Sequence, residues 1–255
     1  MRTAPLSLLL LAACTTTPEL RGTVVDIWGD PVVGAMVKLE GLPDRPVTDA
    51  NGRFILPFKP GTHTIKAGRE GYIQQDLQIV VPEDPKAASN PVLELFPIPQ
   101  EKGFHAISSD GYVKLDAKPI RALGNNLKSL YGLQETGSAS VDGNELRVVY
   151  HGDLRQDQLM SLAVTLHKLD FVETAELVGL TTQEVPLNLY TSGEVIPMTV
   201  ERLRSRNDYL FTSQGELEHG RIYALTTNDL LTPLDDEAFH KIAPSLRLAF
   251  PLELR

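Results

Sequence analysis

The side chains able to do chemistry are few and scattered. Histidine occurs at His63, His105, His151, His167, His219 and His240, and cysteine once, at Cys14. Two imidazoles that share a zinc ion from one helix sit four residues apart, as in H-E-x-x-H, and no such pair is present. Nor is there a G-x-S-x-G nucleophile turn or a glycine-rich phosphate loop. Carboxylates are plentiful, and two at a suitable separation suffice for glycoside hydrolysis. The densest group, Asp235-Asp236-Glu237, stands just before "AFHKI", where it charges the first turn of a short helix. His151-Gly152-Asp153 places acid–base types side by side, but Asp153 is better used as a helix cap. The expectation is a protein that is not an enzyme, with no catalytic residue, no metal site and no cofactor.

Cys14 is placed differently. Arg2 supplies a positive charge, Leu6 to Ala13 form a short apolar run, and Ala12 and Ala13 are small. This is the layout of a secretory signal peptide over residues 1–13. The run is far shorter than the roughly 20 residues that cross a bilayer. The tetrad Leu11-Ala12-Ala13-Cys14 resembles the lipobox of bacterial lipoproteins. That resemblance implies cleavage before Cys14, lipidation of its sulfur and export to the outer membrane. A thiolate is the nucleophile such a transfer needs. Residues 14–19, "CTTTPE", then read as the lipidated N-terminus and a polar tether.

Composition limits the partners. The formal net charge is −9, or −10 once Arg2 leaves with the leader, and no basic cluster is present. Nucleic acid is therefore not an expected partner. Anionic headgroups would repel such a chain, so attachment to the membrane falls to the acyl chains. Hydrophobic residues make up 42%, enough for a packed core, and a single cysteine forbids an intrachain disulfide.

The segment 20–99 carries short alternating runs, "RGTVVDI", "AMVKLE", "RFILPF", "HTIKA", "YIQQDLQIVV" and "VLELF", separated by turns. Such spacing predicts a β-sandwich. The order Gly22-x-Val24-x-Asp26-x-x-Gly29-x-Pro31-x-x-Gly34-Ala35-x-Val37, then Thr48-Asp49-x-x-Gly52-x-Phe54, Pro60-Gly61 and Gly71-Tyr72, resembles a carboxypeptidase regulatory-like domain. The resemblance covers under a third of the chain. It implies a transthyretin-like sandwich, a carbohydrate-binding-like fold that serves as an accessory module without a peptidase centre. Asp49-Ala50-Asn51-Gly52 reads as a turn, because Asp accepts backbone N–H groups and Gly permits positive φ. It lacks the further oxygens of a calcium loop. His63 alternates with Ile65 and Ala67 and is expected to face the core. Trp28, the single tryptophan, stands at a turn after the first strand. There it is either a lid on the sandwich or a contact for a sugar ring or partner.

Residues 104–255 resemble no family. They read as α+β, mostly β, with two subdomains possible at 104–184 and 185–255. "DLRQDQLMSLAVTLHKLD" has the spacing of a helix, with Asp153 as cap and Gln156 completing a capping box, and "PIRALGNNLKSL" of a second, shorter one. The whole is expected to be mainly β: a lipid-anchored bacterial envelope protein with a structural or partner-binding role. Carbohydrate or peptidoglycan binding is the alternative, and an envelope hydrolase is a third class.

Overall fold

The computed structural model describes residues 19–57, 60–83, 90–125, 128–177, 183–203 and 207–255. Cys14 and the leader lie outside the described residues. The fold is mainly β and divides into two compact units. The first takes the described residues up to Glu70 together with Gln75–Leu95, and the second takes Gly71–Gln74 and Phe96–Arg255.

The chain opens with β1 (Glu19–Asp26), β2 (Met36–Leu39), β3 (Arg53–Pro57), β4 (Gly61–Gly68), β5 (Tyr72–Ile73), β6 (Gln75–Val81) and β7 (Val92–Pro97). In the first unit β1 lies between antiparallel β3 and parallel β7, and β4 lies between β2 and β6. Alternation decides the inner face. Leu20 and Val24 of β1, Phe54 and Leu56 of β3, Val37 and Leu39 of β2, and Ile65 and Ala67 of β4 are buried. Arg21, Arg53 and Ile55 point the other way and are exposed. This is the period-two pattern of a sheet with one dry face. His63 is half-buried, two rungs short of the buried Ile65–Ala67 stretch, so it sits at the rim rather than in the core.

In the first unit two glycines are required by close approach. Gly52 has φ +70°, and a Cβ there would strike the Val24 carbonyl oxygen. A Cβ on Gly22 would strike the Phe54 ring and come within 2.6 Å of the Pro91 carbonyl oxygen.

The second unit adds β8 (Gly103–Ser108), β9 (Gly111–Lys114), β10 (Lys118–Pro119), β11 (Arg121–Asn125), β12 (Lys128–Leu133), β13 (Ser140–Val141), β14 (Arg147–His151), α1 (Gln156–Ser161), β15 (Thr165–Leu177), β16 (Gln183–Ile196), β17 (Met198–Leu203), β18 (Asp208–Ser213), β19 (Arg221–Thr226), α2 (Asp236–Lys241) and β20 (Leu248–Leu254). One sheet has the order β17-β18-β14-β8-β9, and a larger one β10-β20-β19-β15-β16-β12-β11, with β13 also on β20. Phe104, Ala106, Val148, Tyr209 and Phe211 from the first sheet meet Leu166, Ile196, Tyr223, Leu225 and Leu252 from the second in one core. On its other face the larger sheet buries Leu133, Leu169, Ala224 and Ala249 beneath Phe239 of α2.

Three expectations need correction. The helix read over "DLRQDQLMSLAVTLHKLD" spans only Gln156–Ser161, and the rest is the start of β15. Ala163 has φ +43°, which ends any helix, and Val164 and Thr165 are β-branched. Its cap is Arg155, whose N–H donates to Gln158 Oε1 at 3.0 Å, while Asp153 pairs with Lys102. "PIRALGNNLKSL" is not a helix: it supplies the antiparallel pair β11 and β12, closed by Asn125 opposite Lys128. The division at 184/185 is no boundary, because it falls inside β16, which pairs β15 from Leu166–Ile196 to Leu177–Gln183.

Gly22 supplies a stability test. Gly22→Ala must displace both the buried Phe54 ring and the backbone at Pro91, or shift its own strand, so it should cost about 1–3 kcal/mol. Urea denaturation of the two proteins measures it, and an unchanged midpoint would show that the strand has room there.

Candidate functional site

In the first unit, carboxylates hold the turns. Asp26 Oδ1 accepts the N–H groups of Trp28 at 2.9 Å and Asp30 at 3.0 Å. Asp49 Oδ1 accepts those of Asn51 and Arg53, both at 2.8 Å. These bonds, Arg53 first and Asn51 second, hold the Asp49 carboxyl below the usual carboxylate range. Thr48 Oγ1 accepts from Ala35 N–H and donates to the Val32 carbonyl, tying the next loop. Trp28 therefore stands on a turn built by Asp26, and its indole is half-buried.

Beside the Asp49 turn, the outer face of β1 and β3 borders a cavity of about 780 Å³. Arg21 lies opposite Ile55 and Thr23 opposite Arg53, so both guanidinium groups rise from one face on a diagonal. Val47 and Ile55 are exposed beside them, with Asn90 at the margin. Arg21 is bound to Glu19 at 3.1 Å, both side chains facing solvent.

In the second unit, the face of the five-stranded sheet away from the core carries His105, Val149, His151 and Asp208. His151 Nδ1 lies 2.6 Å from Asp208 Oδ1, and the Asp208 side chain is 1% exposed. His105 is buried, and its Nε2–H donates to the Glu101 carbonyl at 2.7 Å. Burial pushes the His105 imidazole below its ordinary value, against the pull of that hydrogen bond. A cavity of about 440 Å³ lies over His105, lined by Pro97, Pro99, Glu101, Tyr112 and Lys114. Tyr112 donates to the Pro97 carbonyl at 3.0 Å, and Lys114 is paired with Glu101. The walls are thus bonded to one another.

Two further clusters are structural. Asp235 Oδ1 accepts the Ala238 N–H at 2.7 Å and caps α2. Asp236 receives the hydroxyls of Ser129, at 2.9 Å, and Tyr131. Burial and this carboxylate raise the Tyr131 phenol to about 12. His167 is fully buried in β15, with Nε2 2.9 Å from Thr165 Oγ1 and Nδ1 2.8 Å from Ser192 Oγ.

The sequence motifs and the geometry agree only partly. Asp235-Asp236-Glu237 does open a helix. His151 does not act with Asp153; it meets Asp208, which stands beside it across the β14–β18 pairing and was not legible as its partner. The Arg21–Arg53 face was also missed, although both residues alternate with buried ones. Cys14 lies outside the described residues. Among the described residues no three His, Cys, Asp or Glu side chains gather to hold a metal.

Residues 19–94 match the carboxypeptidase regulatory-like domain, the family read from the sequence, and form that domain here. No curated protein matches the chain. Solved structures that align with it include a candidate carbohydrate-binding protein from Bacteroides uniformis, at 11% identity over 81% of this chain and 86% of that one, TM-score 0.23. A DUF3823 family protein from the same species aligns at 11% identity over 93% and 97%, TM-score 0.22. BcpA, the major pilin subunit of Bacillus cereus, aligns at 10% identity over 92% and 67%, TM-score 0.21. Scores of this size establish neither a common fold nor a common role.

The His167 clamp has a pH signature. The two hydroxyls suit a neutral ring, and burial lowers its pKa from 6.5 to about 4. A depressed value means that the unfolded chain takes the proton first. The stability is complete above pH 6.5 and is lost as the pH falls through about 4, on the order of 3 kcal/mol in all. His167→Gln should lack this component, seen as a smaller difference between urea midpoints at pH 7.5 and pH 4.5. Equal pH slopes for the two proteins would show that the ring charges freely in the fold.

Proposed function

We propose that the chain is a bacterial envelope lipoprotein, held to the outer membrane through Cys14, with a non-enzymatic structural or partner-binding role. The observation that carries this reading is how the reactive side chains are used. Asp26, Asp49 and Asp235 close turns or cap a helix. Asp236 ties α2 to β12, and His167 is clamped between hydroxyls. Among the described residues, the arginine-bearing face of the first unit offers one surface for recognition. The lone cysteine behind a signal-like run supports the anchor, and no helix among the described residues is long and apolar enough to cross a membrane.

Cys14 decides the anchoring. The native chain should enter the detergent phase on cloud-point separation, and mass spectrometry should find an acylated N-terminal cysteine. Cys14→Ser should leave the protein in the aqueous phase or unprocessed, with unchanged thermal unfolding. An unmodified N-terminus beginning elsewhere would refute the anchor.

Trp28 separates partner binding from the carbohydrate alternative. Its half-burial over the Asp26 turn supports a lid. Trp28→Ala should then lower stability by up to about 3 kcal/mol, the cost of losing a large packed side chain. The unaltered protein should pass a peptidoglycan column unretained. Retention that disappears with Trp28→Ala would establish sugar binding instead.

A further inference from the structure

The hairpin of β15 and β16 outruns its neighbours. β19 flanks β15 only from Thr165 to Lys168, and β12 flanks β16 only at Tyr190 and Thr191. Beyond Phe171, among the described residues, the two strands pair only with each other. A two-stranded ribbon with open edges is marginal by itself. This one also places Glu176 directly opposite Glu184, both exposed on one face. Like charges directly opposite in a sheet are destabilising. A hydrogen bond from Thr174 Oγ1 to Glu184, 2.7 Å long, holds one of the pair without adding a positive charge. Ala175 and Val185 are half-buried between these rungs, and Glu173 adds a third exposed carboxylate at the base.

The first unit carries the opposite arrangement. Arg21 and Arg53 share one sheet face diagonally, beside exposed Val47, Ile55 and Val92 and a cavity of about 780 Å³. Glu19 is paired with Arg21, and Asp49, at the rim of the same cavity, is drawn toward the charge of Arg53 without a direct ion pair among the described residues. The two guanidinium groups complement the carboxylates of the arm, and Arg21, Arg53, Glu176 and Glu184 are all exposed.

We propose that two copies of the chain associate head to tail, the acidic arm of one seated on the arginine-bearing sheet face of the other. Because the two surfaces differ, the contact is heterologous and can repeat from copy to copy. The inference deepens the partner-binding reading above by naming the partner as a second copy. The full chain carrying Cys14→Ser serves for the test, so that a failed anchor and a failed interface give different results.

Sedimentation at rising protein concentration in 20 mM salt should show association, reversed at 500 mM as screening shortens the reach of the charges. Arg21→Glu with Arg53→Glu should be monomeric. So should Glu176→Lys with Glu184→Lys. Mixed in equal amounts, the two variants should associate again, since each then offers the sign that the other lacks. A monomer under all conditions overturns the proposal. So does association that survives either double variant, or a mixture that stays monomeric.

Discussion

Tyr223, Ala224 and Leu225 are consecutive and all buried, and much of the second unit follows from that. Alternate residues of a strand face opposite ways, so three in a row can be dry only if both faces of the sheet are covered. The five-stranded sheet covers one face, with Phe104, Tyr209 and Phe211 over Tyr223 and Leu225. The short helix α2 covers the other, with Phe239 over Ala224. A helix of six residues has little stability of its own. It is held by the Asp235 cap, by Tyr131 and Ser129 on Asp236, and by the Arg247 guanidinium 4.8 Å from the Phe239 ring centre. The acidic cluster that invited a catalytic reading is what fastens the lid of this core.

The same constraint fixes the polar residues inside. A histidine on a doubly covered strand must find partners within reach or lose its hydration without replacement. His167 finds them on its own strand and on the neighbouring one, in Thr165 and Ser192. On the opposite side of the five-stranded sheet, His151 meets Asp208 Oδ1 across two strands, and His105 donates to a backbone carbonyl. His167 and His105 are thus held at ring nitrogens, whereas Asp208 keeps one carboxylate oxygen, Oδ2, buried without a hydrogen-bond partner among the described residues.

The first unit was largely legible in the sequence because its signals are local. Asp-x-x-Gly turns, prolines at strand ends and period-two alternation each act over a few residues, and they give the sandwich in order. The second unit was legible in its strands but not in its pairings. Leu159, Leu162, Leu166 and Leu169 fit a helical stripe, yet Leu166 and Leu169 belong to a strand whose two dry faces remove the alternation that would have marked it. The positive φ at Ala163 that separates the two elements has no sequence signal, since alanine does not favour it. His151 and Asp208 are far apart in the chain, and only the β14–β18 register brings them together.

The arm and the arginine face obey one rule about exposed sheets. An open strand edge recruits any other open edge unless charge prevents it. Glutamates on both strands of the arm keep identical arms apart, because pairing them would add further like-charge contacts to the Glu176–Glu184 rung. The same carboxylates do not oppose a surface bearing Arg21 and Arg53. Charge that blocks the symmetric contact therefore leaves the asymmetric one open, and an asymmetric contact propagates where a symmetric one would stop at two copies. In a chain of net charge −9, such a contact must be short-ranged and specific, since the overall field pushes copies apart until the two faces meet.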